Sequence, residues 1–194
     1  GARTATAGLV FAGQLSGAAP LTDTSLEWDG SSWTAGGAMN TARKYLAGYG
    51  IQTYAHAIGG NSGSVTGIVE QYNGTAWTEI TDLNTAREQA GATGTYTSSL
   101  VFGGDAPPHV TKTESWDGSS WTEVADLANA VDQNGSGGSS NTSALSFGGA
   151  QLPGSGSTDR TEEWSFPSGP HLNEGDIFLS GGTTLKGFGR AAGI

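Results

Sequence analysis

The sequence predicts an all-β fold assembled from repeated four-stranded units, and three observations predict it. A short turn flanked by aromatics recurs as EWDGSSW at 27–33, QYNGTAW at 71–77 and SWDGSSW at 115–121, which places Trp33, Trp77 and Trp121 at intervals of 44 residues. Four apolar stretches end in a pair of small residues on nearly the same period: GLVFAG at Gly13, AHAIGG at Gly60, SLVFGG at Gly104 and ALSFGG at Gly149. The 194 residues include 33 Gly and no Cys, and only 13% are charged, yet there are six Trp, five Tyr and six Phe to bury. That balance suits a turn-rich protein with a Ser/Thr/Asn surface and an aromatic interior. A fixed period of this length marks an array of supersecondary units.

Within one period the strands follow in order. LAGYGIQ (46–52) is the first, the apolar run ending in Gly-Gly the second, GIVEQY (67–72) the third and AWTEI (76–80) the fourth. Each is short, rich in β-branched and aromatic residues, and bounded by Gly, Asn, Asp or Pro. Asp29-Gly30, Asn73-Gly74 and Asp117-Gly118 join the third strand to the fourth, with Gly supplying the positive φ of a tight hairpin. The bracketing pairs Trp28/Trp33, Tyr72/Trp77 and Trp116/Trp121 are read as packing on the neighbouring repeat. Gly59, Gly60, Gly103, Gly104, Gly148 and Gly149 are read as structural turn residues. NTAR follows at 40–43 and 84–87, while the third copy, ANAV at 128–131, has lost its Arg. A four-stranded sheet cannot bury its faces alone, so such units stack around an axis. The expectation is a β-propeller of four four-stranded blades in residues 1–168. Residues 169–194 are expected to form a β-hairpin or linker, or a degenerate fifth blade, with GDIFLSGGTTLKGFG (175–189) as the hairpin.

Gly-Gly after an apolar run, an aromatic about twelve residues on, a Trp five residues later and an Arg in the following loop together resemble the Kelch repeat. The resemblance covers residues 1–164. It departs where Ala12 precedes Gly13, where the third loop lacks Arg, and where the fourth copy lacks its second Trp. The repeated idiom WDGSSWTEV…LVFGG also resembles Kelch-like arrays in tail-associated and fibre proteins of marine bacteriophages. What this resemblance implies is a non-enzymatic structural and recognition module of a virion. Its partners would be other virion proteins or copies of itself, and a host surface glycan or protein. A cellular Kelch-type interaction scaffold and a carbohydrate-active enzyme are the alternatives. The chain reads as a segment of a longer polypeptide.

Other classes are disfavoured by the residues themselves. A net charge of −10 with only eight Lys and Arg argues against nucleic acid and anionic membranes as partners. No run is long enough for a transmembrane helix, and zero Cys excludes thiol chemistry. A sialidase-type Asp box fails, because Gly30 follows Asp29 at once and Trp33 comes four residues after it. The Tyr–Cys cross-link of copper radical oxidases is impossible without Cys. His56, His109 and His171 show no paired ligand spacing, so no metal, cofactor or catalytic residue is expected. Variation concentrates in the loops QLSGAAPLTDTS, NSGSVTG, DAPPHVTK and AQLPGSGSTDR, the natural place for recognition. The candidate binding residues on rim loops are Arg43, Arg87, Asp105, His109, Asp159 and Arg160. An Arg fork there suits a carboxylate or sugar; the competing reading has Arg43 and Arg87 bonding backbone carbonyls between blades.

Overall fold

The computed structural model describes residues 6–14, 20–151, 156–165, 177–180 and 184–187. Every regular element among them is a β-strand. In chain order these are β1 (Gly8–Gln14), β2 (Leu21–Trp28), β3 (Trp33–Ala35), β4 (Ala47–Ile51), β5 (Tyr54–Ile58), β6 (Val69–Tyr72) and β7 (Trp77–Glu79). Then follow β8 (Gly91–Thr95), β9 (Ser98–Phe102), β10 (Thr113–Trp116), β11 (Trp121–Glu123), β12 (Val131–Asp132), β13 (Gly135–Ser140) and β14 (Ser143–Phe147). The last are β15 (Ala150–Gln151), β16 (Gly156–Ser157), β17 (Thr161–Ser165), β18 (Ile177–Ser180) and β19 (Thr184–Gly187).

These strands form small antiparallel sheets. Two are the expected four-stranded meanders, β4-β5-β6-β7 and β8-β9-β10-β11. The sheets of the first and fourth repeats, β1-β2-β3 and β13-β14-β17, have three described strands each, and the stretches expected to add a fourth lie at least partly outside the described residues. A counterpart of β4 would precede β1, and a counterpart of β7 would follow β17, where SFPSGP replaces the DGSSW turn. Strands β12-β15-β16 make a further small sheet. Gly1–Trp164 and Ser165–Ile194 are separate compact units. The second contains β18 paired antiparallel with β19, from Ile177↔Gly187 to Ser180↔Thr184, within the stretch read as a hairpin.

The turn between third and fourth strands is held by its Asx side chain as much as by its glycine. Trp28 pairs with Trp33, Tyr72 with Trp77 and Trp116 with Trp121, so four residues form each loop, not two. Gly30, Gly74 and Gly118 carry the expected positive φ of 100°, 91° and 101°. Asp117 Oδ1 accepts from the backbone N–H of Ser119 at 2.8 Å and of Ser120 at 2.9 Å. Asn73 does the same for Thr75 and Ala76, both at 2.9 Å. Donation from Ser120 and Ser119 holds the Asp117 carboxyl down at about 2, and the matching bonds from Ser32 and Ser31 hold Asp29 lower still.

The core lies in layers between consecutive sheets. Leu9, Met39, Ala55, Ala57, Tyr72 and Trp77 fill the first layer. Tyr49, Ile58, Val69, Leu83, Val101, Trp116 and Trp121 are among those filling the second, and Leu100, Phe102 and Ala144 the third. The second aromatic of each pair reaches back to the preceding repeat. Trp77 Nε1 donates to Ser25 Oγ at 2.9 Å, and Trp121 Nε1 donates to Thr81 O at 3.1 Å. Trp33 is 47% exposed, against 5% for Trp77 and Trp121. At the other end Leu145 and Phe147 are open, whereas their counterparts Leu100 and Phe102 are buried.

Two outcomes are expected. Trp77→Ala, which empties a buried site, should cost ~3–5 kcal/mol, and Trp33→Ala far less; urea melts of both variants check this. Because the folded-state value of Asp117 lies below its ordinary 3.8, its contribution to stability is complete above that value and is lost as pH falls through about 2. Asp117→Asn, imitating Asn73, should therefore match the parent at pH 7 and lose less melting temperature between pH 4 and pH 2.

Candidate functional site

Arg43 and Arg87, expected on the rim, lie inside, 0% and 1% exposed. Arg43 donates through Nε to Gly59 O at 2.9 Å and through Nη2 to Ala57 O at 3.0 Å, and it pairs through Nη1 with Glu70. Arg87 donates to Lys112 O at 2.7 Å and pairs with Glu114. Burial pushes the Arg87 guanidinium down from its ordinary value, while Glu114 opposes the shift. The carbonyls belong to the sheet that each Arg leads into, so these side chains fasten a loop to its own sheet. Their donors are committed, and a ligand cannot reach them.

The Glu partner is equally committed. Glu70 Oε2 accepts from Asn40 N at 2.7 Å and Asn40 Nδ2 at 2.8 Å. Glu114 repeats this with Asn84 at 2.7 and 2.8 Å. The small-residue pair then joins neighbouring repeats, since Gly13 N donates to Arg43 O at 2.9 Å, Gly60 N to Arg87 O at 2.9 Å and Gly104 N to Val131 O at 2.7 Å.

Two residues beyond the Arg position, each repeat holds a side-chain-bearing residue in the left-handed region: Tyr45 (φ 57°), Gln89 (φ 58°) and Gln133 (φ 51°). Their backbones form a chain, Gln89 N donating to Tyr45 O at 2.7 Å and Gln133 N to Gln89 O at 2.8 Å. With Leu46, Ala90 and Asn134 they line an open recess of about 540 Å³. The strands β4, β8 and β13, which lie side by side, line a further recess of about 260 Å³. Tyr45 is exposed, with Lys44 Nζ 4.9 Å from its ring centroid. Sequence reading missed these three residues. Their 44-residue spacing was legible, but the change from Tyr to Gln hides it as a motif.

His56, read as an inner-strand residue, is buried and held down at about 4 by desolvation. It contacts Tyr49, whose hydroxyl donates to Ser99 Oγ at 2.5 Å. These are side-chain types used in nucleophilic catalysis, but His56 and Ser99 are both 0% exposed. A substrate has no route to them.

Among the rim candidates, Asp159 and Arg160 are exposed between β16 and β17. Asp105 and His109 face each other across an isolated bridge in the β9–β10 loop. The structure adds a residue that sequence spacing did not suggest, since Asp132 of β12 lies 3.5 Å from His109 Nε2 through Oδ2. Among the described residues, Asp105, His109 and Asp132 are the one grouping of side chains suited to hold a metal ion, with ligand atoms within 4.8 Å of one another. His171 lies outside the described residues.

No protein-family model matches the chain, and no curated protein matches it. Among solved structures it is similar to one titled "Structure of YjhT", at 14% identity and a TM-score of 0.63, over 86% of this chain and 52% of that one. The chain thus spans about half the length of that structure, and at this identity the likeness shows fold alone.

Removing one partner of a buried ion pair strands the other, at ~3–5 kcal/mol. Arg87→Ala should lose about that much in urea melts. Arg87→Lys, which lacks the planar fork, should recover only part.

Proposed function

We propose that this chain is a Kelch-like propeller segment serving as a non-enzymatic structural and recognition module, with the stacked sheets as its blades. The observation that carries the recognition role is the trio Tyr45, Gln89 and Gln133 at the mouth of the recess. At Gly59, Gly103 and Gly148 the positive φ is met with glycine. At the three positions of the trio this sequence keeps large side chains in a region that costs each non-glycine residue roughly 1 kcal/mol. A tyrosine face and two primary amides suit a neutral polar ligand, the chemistry of an oligosaccharide. The buried state of the His56 trio and the commitment of Arg43 and Arg87 to the frame support a non-enzymatic role.

The propeller reading is supported by the layering of like sheets and by apolar faces left open at both ends. Val10 and Trp33 at one end and Leu145 and Phe147 at the other occupy positions that the middle repeats bury against their neighbours. Further repeats of the same kind, in this protein or in another copy, would cover them. Assignment to a bacteriophage tail or fibre, and so to the virion, rests on the WDGSSW repeat idiom, with neighbouring virion proteins and a host surface glycan as partners.

The test replaces Tyr45, Gln89 and Gln133 together by Gly. The variant should melt no lower than the parent, because strain is relieved, and should lose at least ten-fold in affinity on a bacterial surface-glycan array. Unchanged binding would remove the recess from the recognition role.

A further inference from the structure

We propose that Asp105, His109 and Asp132 form a binding site for a first-row divalent cation, zinc foremost, that ties the β9–β10 loop to β12. The loop side is preset by backbone pairing: Asp105 N donates to Glu88 O at 2.7 Å, and Val110 N donates to Gly104 O at 2.9 Å. The other side is preset by Gly104 N, whose bond to Val131 O places the adjacent Asp132 against the loop.

The polar groups of this cluster are incompletely satisfied. The Asp132 side chain is 5% exposed and that of His109 20%. Asp105 Oδ1, His109 Nδ1 and Asp132 Oδ1 are all buried without a hydrogen-bond partner. Orphaned polar atoms of this kind are rare and call for an occupant. A protonated His109 would still leave two carboxylates facing one positive charge. A dication with neutral imidazole balances both carboxylates. Ligands at about 2.0–2.2 Å from a common centre lie closer together than the 4.8 Å limit here, so modest side-chain rotation closes the site. One imidazole nitrogen with two carboxylate oxygens favours zinc over calcium or magnesium, which take oxygen ligands. Three protein ligands leave a coordination position for water.

The repeat supplies an internal control. One period earlier, the same frame positions hold Asn61, Val65 and Glu88, joined by the same bridge pattern between 61 and 65. That junction has no ligand trio, although the bridge between its two loop positions is the same.

Chelator-dialysed protein is titrated with zinc by calorimetry and assayed by elemental analysis after gel filtration. One zinc per chain is expected, with a melting temperature raised by several degrees at about 100 times Kd. His109→Ala and Asp132→Asn should each weaken binding at least 100-fold, while Asp159→Asn, in an exposed loop, should not. Far-ultraviolet circular dichroism verifies that each variant is folded. If Asp132→Asn is unfolded, His109→Gln takes its place. Absence of stoichiometric zinc, or binding that survives His109→Ala in folded protein, overturns the proposal.

Discussion

The buried carboxylate of Glu70, and of Glu114 one period later, is the constraint on which the middle of this structure depends. A lone carboxylate at 0% exposure would be prohibitively costly. Each is therefore surrounded by donors: an Arg fork, an Asn side chain, and the backbone N–H groups of that Asn and the following Thr. All these donors come from the four-residue run NTAR. The strand thus dictates how the loop lies upon it, and the pair's value is geometric, since buried pairs add little net stability. With Arg43 fixed, its carbonyl is presented to Gly13 of the preceding sheet, and the chain two residues on turns left-handed at Tyr45. In the second and third repeats one buried charge thus fixes the loop that leads to the junction and to the mouth of the recess.

The outer repeats show what happens when this set is incomplete. Leu26 stands where the middle repeats have Glu, in a repeat with no described NTAR loop upon it. In the fourth repeat Val131 stands in for Arg, yet Glu162 still accepts from Ala128 N at 2.7 Å. That carboxylate is partly exposed, which makes the missing guanidinium tolerable. The backbone junction survives without Arg, because Gly104 N needs only the Val131 carbonyl. Ala12 likewise keeps φ near 60° where the other copies use Gly, so the turn geometry persists through a residue poorly suited to it.

Periodicity made the frame legible. The strands of the second and third repeats, the aromatic pairing and the positive-φ glycines could be placed from spacing alone. The role of Arg43 could not be decided that way, because a loop Arg looks the same whether its partners are a ligand or carbonyls of its own sheet; Glu70 beneath it was hidden in the middle of a strand. The aspartate of the DG turn was read for its glycine, yet its carboxylate carries the backbone bonds. Tyr45, Gln89 and Gln133 share a position without sharing chemistry, so only their backbone conformation reveals them as a set.

Asp105, His109 and Asp132 illustrate the deeper reason. Asp105 and His109 are four residues apart in one loop, but Asp132 belongs to the next repeat, and no linear spacing connects it to them. What does connect them is the seam where a loop of one repeat meets the start of the next, held by the bond from Gly104 N to Val131 O. The frame brings positions 61, 65 and 88 into that relation first, and positions 105, 109 and 132 second. Gly-to-carbonyl bonds and buried Glu carboxylates hold the repeats in register around these junction positions. Side chains there change from Asn and Val to Asp and His while the bridge between the two positions is kept. Chemistry in such an array therefore belongs to the seams between repeats, where two rigid neighbours fix the approach of residues that the chain itself keeps far apart.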